Sequence, residues 1–265
     1  MLAWLRDWRH RRILARTRLD ARLWQEVVAD LPLLAGLAAE EERRLQALAL
    51  LFLHDKTLEP VAGLELDQAM RLRIACLAAL PVLNLGLDWY RNWYSVIVYP
   101  SGFLARRHHV DEAEVVHEYT EELVGEAWER GPVLLSWEEV EASGRLDGFN
   151  VVIHELAHKL DMLNGPPNGL PPLHRDMRLQ DWSQAFSAAY ADMNRRLDAG
   201  EETEVDPYAA EDPAEFFAVI SEYFFELPQL VAGTYPDVYA QLRAFYRQDP
   251  LQRLEQAERG GLLSL

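Results

Sequence analysis

The sequence predicts an α+β protein in which a helical N-terminal part accompanies a small mixed β-sheet and a second set of helices. Between residues 20 and 83, apolar side chains recur at intervals of three and four, which is typical of helices that bury one face. After Gly86, aromatic and β-branched residues dominate the stretch NWYSVIVYPSGF, which favours a strand. The helical period returns from Phe149 onward.

The N-terminal part divides into helical pieces that Pro or Gly residues separate: DARLWQEVVADLPLLAGL, AAEEERRLQALALLFLHD and ELDQAMRLRIACLAALPVL. They follow a basic stretch, in which the first 24 residues contain Asp7 and Asp20 against Arg6, Arg9, Arg11, Arg12, Arg16, Arg18 and Arg22. We expect an exposed helix whose arginines face solvent and the acidic body. Binding to a membrane surface or to a partner is the alternative.

Further strands are predicted at EVVHEYTEEL and GPVLLSWEEV, while His108 and His109 follow two arginines and are expected in an exposed polar loop. Near residue 85 the sequence changes from helical apolar spacing to aromatic and β-branched residues. This change separates a helical region, residues 1–85, from the remainder, residues 86–265. No linker or repeat marks this boundary, so one continuous body fits best.

Composition narrows the classes of function. The formal net charge of −17 argues against direct nucleic-acid binding, which requires a basic surface. The single cysteine, Cys76, is expected to be buried and unreactive, as in a reducing compartment. No stretch has the length and apolar character of a signal peptide or a membrane span, so we expect a cytoplasmic protein.

The stretch NVVIHELAHKLDMLNG, residues 150–165, contains two histidines four positions apart. In a helix, His154 and His158 lie one above the other and can direct two imidazole nitrogens at one ion. Glu155 lies beside them, where it can act as a base on a water molecule. The competing interpretation is an ordinary helix that happens to contain two histidines.

The surroundings of this motif favour a metal site. Val152, Leu156 and Leu160 give the helix an apolar face, and Asp161 is placed to accept the second imidazole N–H of His158. Gly165 and the proline-rich loop that follows end the helix, so a third ligand must come from elsewhere.

A candidate for the third ligand lies in DPYAAEDPAEFFAVISEYFFE, residues 206–226. Asp212 can cap and Pro213 can begin an apolar helix, in which Glu215 and Glu222 lie seven residues apart on nearly the same face. Glu215 also stands where a capping-box glutamate belongs. Spacing alone leaves the two roles of Glu215 open.

These segments resemble the Mlc titration factor A family of metallopeptidases, and over a shorter span the catalytic domain of anthrax lethal factor. The segments SVIVYPSGF, GEAWERGPVLLSW, NVVIHELAHKLDMLNG and PAEFFAVISEYFFE stand in the order that the family shows. The resemblance therefore extends through most of the chain and is more specific than the two-histidine motif alone.

The resemblance implies a zincin-like metallopeptidase fold of the gluzincin type over residues 86–265, with Zn²⁺ as the cofactor. His154, His158 and Glu215 would bind the metal, Glu155 would act as general base, and Tyr208 would stabilise the oxyanion. Glu222 would support a ligand or make a structural hydrogen bond. Short peptides cleaved in an aminopeptidase-like reaction are the implied substrates, and a transcriptional repressor is the implied protein partner.

The segment GPVLLSW, residues 131–137, precedes the motif helix in the position of the edge strand that presents substrate in zinc peptidases. A strand that serves only the core is the alternative.

Two other functions compete with a peptidase. One is a non-catalytic protein that sequesters a repressor and carries a vestigial or regulatory zinc site. The other is a closed structural zinc site, in which His174 would supply a fourth protein ligand.

Overall fold

The computed structural model describes residues 3–110, 116–123, 125–127 and 131–263 of the chain. The first two residues of the predicted strand EVVHEYTEEL lie outside these ranges. The described helices are α1 (Ala3–Arg16), α2 (Ala21–Ala29), α3 (Ala39–Asp55), α4 (Gln68–Ala79), α5 (Trp137–Ala142), α6 (Val151–Asp161), α7 (Leu179–Asp198), α8 (Pro213–Glu226), α9 (Pro228–Thr234), α10 (Pro236–Tyr246) and α11 (Pro250–Arg259). Short 3₁₀ helices occupy Pro32–Leu34, Leu87–Tyr90 and Pro207–Ala210.

The strands form a mixed sheet and a separate hairpin. Their bounds are β1 (Thr57–Pro60), β2 (Ser95–Tyr99), β3 (Phe103–Val110), β4 (Val116–Leu123), β5 (Gly125–Ala127) and β6 (Val133–Ser136). The sheet has the order β1-β2-β6-β5, in which the first three strands are parallel and β5 is antiparallel to β6. Strands β3 and β4 pair with each other as an antiparallel hairpin. This helix-rich architecture with its small mixed sheet confirms the predicted α+β, zincin-like fold.

The predicted N-terminal helices are present as α2, α3 and α4, but an unpredicted strand lies between the last two. Strand β1 has the sequence TLEP and forms because β2 offers it a parallel partner. A four-residue segment that contains Glu and Pro has no local strand preference, so tertiary pairing determines its structure. Because β1 precedes and β2 follows residue 85, the sheet joins the two sequence regions.

Two local predictions in the strand region are wrong. His108 and His109 lie within β3, opposite residues 118 and 117 of β4, and not in a loop. Backbone hydrogen bonds with β4 hold this polar segment in an extended strand conformation. In GPVLLSWEEV, only Val133–Ser136 is a strand, since α5 begins at Trp137.

Helices α6 and α8 lie within a core that residues from both halves of the sequence build. Val152, Leu156 and Leu160 are buried as their helical spacing predicts. Cys76 is also fully buried, and burial raises the pKa of its thiol to about 12, which keeps it protonated and unreactive.

The basic N-terminal segment forms α1, which packs on α3, and Arg9 of α1 donates to Asp55 at the end of α3 over 2.9 Å. Among the described helices, none combines enough length with enough apolar character to cross a membrane.

Gly169 controls a close approach between the loop after α6 and the start of α8. It has a φ of +76°, and an added Cβ would lie 2.3 Å from the carbonyl oxygen of Pro213. Gly63 has a similar φ of +82°, but a Cβ added there would have no atom within 4 Å.

We therefore expect Gly169→Ala to destabilise the protein more than Gly63→Ala. The left-handed backbone costs about 1–2 kcal/mol in both variants, and overpacking adds about 1–3 kcal/mol in Gly169→Ala alone. Urea denaturation of both variants measures the difference. Equal losses of stability would show that the loop moves away from α8 without cost.

Candidate metal centre

The two motif histidines lie on one side of α6. Asn150 caps this helix, because its side-chain oxygen accepts the backbone N–H of Ile153 over 3.1 Å. One helical turn separates His154 and His158, and their Nε2 atoms are 3.2 Å apart. Both rings lie mostly below the surface, with their Nε2 atoms turned toward α8.

Helix α8 begins as predicted, with Asp212 as the cap and Pro213 as the first residue. The Asp212 carboxylate accepts the backbone N–H groups of Ala214 and Glu215 over 2.7 and 2.9 Å. The side chain of Glu215 instead reaches the histidines. Its Oε2 lies 3.1 Å from His154 Nε2, and its Oε1 lies 3.4 Å from His158 Nε2.

These separations fit a small divalent cation. Ligands that each lie about 2.0–2.1 Å from a tetrahedral zinc ion are about 3.3 Å from one another. The two Nε2 atoms are 3.2 Å apart, and the two oxygens of Glu215 lie 3.1 Å from His154 Nε2 and 3.4 Å from His158 Nε2, so the carboxylate faces both nitrogens at distances close to that value. Two imidazole nitrogens and one carboxylate are also the donor set of many catalytic zinc sites. The residues present therefore fit the metal that the resemblance implies.

The electrostatics of the site also favour a cation. Burial alone would lower the pKa of His154, but the carboxylates of Glu215 and Glu222 raise it well above its usual value. Burial raises the pKa of Glu215, yet hydrogen bonds with both histidines outweigh burial and hold it low. The surrounding negative potential thus stabilises positive charge at the point where the three side chains meet.

Glu155 lies on α6 beside this point and is only 4% exposed. Burial raises its pKa to about 7, against the lowering effect of His154 and His158. Its Oε2 is buried and makes no hydrogen bond with the described residues. A buried carboxylate oxygen without a partner, with a pKa near neutrality, is suited to accept a proton.

Glu222 fixes the orientation of His154. Its Oε1 lies 2.8 Å from His154 Nδ1, and its Oε2 accepts the backbone N–H of Asn150 over 2.5 Å. When His154 Nδ1 carries the proton, the lone pair of Nε2 is directed toward Glu215 and His158. Glu222 thus fills both roles that the sequence allows it, since it orients His154 and makes a structural hydrogen bond with the backbone of Asn150.

Sequence reasoning missed a further layer behind Glu222. Glu226 accepts the side-chain N–H of Asn150 over 2.6 Å and the backbone N–H of Leu146 over 2.7 Å. Residues 215, 222 and 226 fall on one face of α8, because intervals of seven and eleven residues are close to two and three whole turns. Three carboxylates at these intervals in an apolar helix were the available signal.

The predicted contact between Asp161 and His158 is wrong. Asp161 Oδ2 instead accepts the backbone N–H groups of Asn168 and Gly169, each over 2.7 Å. The Nδ1 of His158 and the Oδ1 of Asp161 are both buried without a hydrogen-bond partner among the described residues. The tight loop after α6 supplies two backbone N–H donors to Asp161. Helical spacing alone does not predict these contacts, because they depend on the path of the loop.

Tyr208 lies on the 3₁₀ helix just before α8. Its ring centroid is 6.1 Å from that of His154 at an angle of 34°, and the side chain is 48% exposed. Asp206 holds this turn by accepting the backbone N–H of Tyr208 over 2.9 Å. The tyrosine therefore lies at the solvent side of the histidine pair.

Neither the edge-strand interpretation of residues 131–137 nor the alternative of His174 as a fourth metal ligand holds in the structure. Strand β6 is not at the edge of the sheet, because β5 pairs with it on the side opposite β2. His174 does not join the histidines, since its Nε2 lies 2.8 Å from the carbonyl oxygen of Phe245. Within the described residues, the convergent group that could hold a metal consists of His154, His158 and Glu215.

The fold and the donor set are those of a metallopeptidase class in which two histidines on one helix meet a glutamate from another. A family model described as glucose-regulated metallo-peptidase M90 matches residues 5–247. The chain belongs to this family.

Similar proteins carry a more particular name. The chain is 42% identical over 239 residues to Mlc titration factor A of Yersinia pestis (strain Pestoides F), covering 89% of this chain and 87% of that protein. The proteins of the same name from Yersinia pseudotuberculosis serotypes O:1b and O:3 give the same identity and coverage.

The buried Glu226 predicts a pH dependence of stability. Burial raises its pKa from the usual 4.5 to about 7. The unfolded chain therefore binds fewer protons at this residue in that window, and the free energy of unfolding falls as pH rises through it. We expect the stability of the wild type, relative to Glu226→Gln, to fall by up to about 1.4 kcal/mol per pH unit.

Urea denaturation at several pH values measures this difference, and the exposed Glu258→Gln controls for the loss of one negative charge. If wild type and Glu226→Gln had parallel profiles, Glu226 would be ionised at its usual pH in the folded protein.

Proposed function

We propose that this protein is a zinc-dependent peptidase whose metal ligands are His154, His158 and Glu215. The observation that carries the proposal is the convergence of two imidazole nitrogens and one carboxylate from two helices within 4.8 Å of one another. Membership of a metallopeptidase family supports the same function.

Zinc bound by these residues supplies Lewis acidity to a peptide carbonyl and to a water molecule. Glu155 Oε2 accepts a proton from the attacking water and passes it to the leaving amine, so the same carboxyl group serves as base and then as acid. Glu222 keeps the proton of His154 on Nδ1 and so maintains Nε2 as a ligand.

Tyr208 contributes from the open side of the site. Its position beside His154, with nearly half of the side chain exposed, allows its hydroxyl to reach a bound substrate. A hydrogen bond from the phenol stabilises the oxyanion that develops on the attacked carbonyl.

Strand β5, and not β6, is the strand that presents the substrate. Strand β5 ends the sheet and lies beside α6, so an extended peptide pairs with β5 and not with β6. The family resemblance suggests short substrates and an aminopeptidase-like reaction. Assays with a set of aminoacyl and peptidyl chromogenic substrates identify the preferred end of the peptide.

A second function is favoured by the name of the relatives, which describes titration of Mlc. On this basis, the chain also binds a transcriptional repressor, and binding does not require hydrolysis. A purely sequestering protein would bind the repressor without any peptidase activity. Activity and binding are therefore measured on the same variants.

Removal of a ligand is expected to remove zinc. His154→Ala and Glu215→Ala lose the equivalent of zinc that the wild type retains, because each leaves only two protein ligands. Metal analysis after dialysis measures the content, and Glu211→Ala, an exposed glutamate near α8, is the control. Zinc retained at full occupancy by Glu215→Ala would exclude Glu215 as a ligand.

Glu155→Gln is expected to retain zinc and lose hydrolysis by at least about a hundredfold, the scale of a general base. The side-chain amide of glutamine does not accept a proton from water at neutral pH, so the general base is lost. The three proposed metal ligands are unchanged, so zinc is retained. Metal analysis and chromogenic assays are made on the same sample. We expect repressor binding, measured in parallel, to be unchanged. Hydrolysis by Glu155→Gln at the wild-type rate would contradict the mechanism.

Tyr208→Phe is expected to lower kcat by about a hundredfold with little change in zinc content, because only the oxyanion donor is lost. The control is Tyr94→Phe, which removes a hydroxyl from an exposed tyrosine outside the site. A kcat equal to that of the wild type would reduce Tyr208 to a packing residue of the turn.

A further inference from the structure

A polar cavity lies outside the candidate metal centre. It has a volume of about 440 Å³ and opens between α1, the end of α3 and the loop at residues 91–94. None of His154, Glu155, His158 and Glu215 lines it. Its volume falls within the range of cavities that bind small molecules.

A buried ammonium group forms part of its wall. Lys56 is only 8% exposed, and its Nζ donates to the carbonyl oxygens of Tyr90 and Trp93, each over 2.5 Å. The Nζ atom also lies 3.7 Å from the centroid of the Trp93 ring. No carboxylate lies within ion-pair distance of Lys56 in the described ranges. Two carbonyls occupy two of the three ammonium donors, and the third N–H is shared between the face of the Trp93 ring and any ligand in the cavity.

Burying this charge is unfavourable without a counterion. The pKa of Lys56 is lowered to about 8, because burial lowers it more than the nearby carboxylate of Asp55 raises it, and the ammonium of Lys159 adds to the lowering. An anion in the cavity would offset the same cost of burial.

Two arginines add to the positive charge. Arg9 lines the cavity from α1 and is bound to Asp55, which also faces His54 over 2.9 Å. Arg91 lines it from the loop, is exposed, and makes no hydrogen bond or ion pair with any residue within the described ranges. Against Arg9, Lys56 and Arg91, the lining includes Asp55 and Asp88, so it is locally cationic in a chain of net charge −17.

Aromatic side chains also line the cavity, namely those of Phe52, Tyr90, Trp93 and Tyr94. Tyr94 is 74% exposed, and its ring centroid lies 5.8 Å from Lys56 Nζ. An exposed aromatic face beside a cation can hold a planar ligand whose anionic group reaches the ammonium.

We infer that this cavity binds a small phosphorylated molecule, with its phosphate at Lys56 and Arg91 and its ring against Tyr94. Guanidinium and ammonium groups together are the usual protein partners of phosphate, since the planar fork of arginine matches two phosphate oxygens. The site lies outside the proposed peptidase centre and does not depend on its function.

The test is isothermal titration calorimetry of the full chain with phenyl phosphate, inorganic phosphate and phenol. We expect phenyl phosphate to bind more tightly than inorganic phosphate, and phenol not to bind. Arg91→Ala weakens both phosphates at least about tenfold, which corresponds to about 1.4 kcal/mol. Tyr94→Ala weakens phenyl phosphate but not inorganic phosphate. The exposed Arg178→Ala, which lies outside the cavity, leaves both affinities unchanged.

Lys56→Met is expected to abolish binding, and because Arg91 is exposed, Arg91→Ala decides the question if Lys56→Met fails to fold. The inference is overturned if neither phosphate binds or if Arg91→Ala binds both as the wild type does. Binding that His154→Ala removes and Arg91→Ala leaves intact would place the phosphate at the metal centre and also overturn it.

Discussion

The carboxylate of Glu222 joins the two helices on which the site depends. One oxygen meets the imidazole of His154 and the other accepts the backbone N–H at the start of α6. A single side chain from α8 therefore sets both the rotation of a histidine and the position of the helix that carries it. Without this link, α8 could pack on α6 in more than one position. The distances between the Glu215 carboxylate and the two histidine Nε2 atoms would then vary.

Glu222 is one of three acidic side chains on the same face of an otherwise apolar helix. Neighbouring members of the series share a partner, since Glu215 and Glu222 both meet His154, and Glu222 and Glu226 both meet Asn150. Burial of such groups is costly unless hydrogen bonds offset it. The series runs from the solvent side of the site to its interior, so stability and site geometry depend on the same helix.

Residue spacing in the sequence predicted the features that depend only on the geometry of a single helix. The spacing of His154 and His158, the apolar face of α6 and the Asp212 cap all follow from helical geometry. Spacing left the role of Glu215 undecided, and only the family resemblance selected it and Tyr208. Strand β1, the placement of β5 and the loop contacts of Asp161 were not predictable, because each depends on a partner distant in sequence or in an irregular loop.

The order of the donors along the chain has a consequence for biosynthesis. The two histidines emerge from the ribosome well before the glutamate of α8, and a pair of imidazoles alone is a weak chelator. With the proposed ligands, tight capture of a cation would wait until α8 has been synthesised and has docked on α6, which would couple loading of the ion to completion of the tertiary structure. A nascent chain that stalls before α8 would leave the ion in solution.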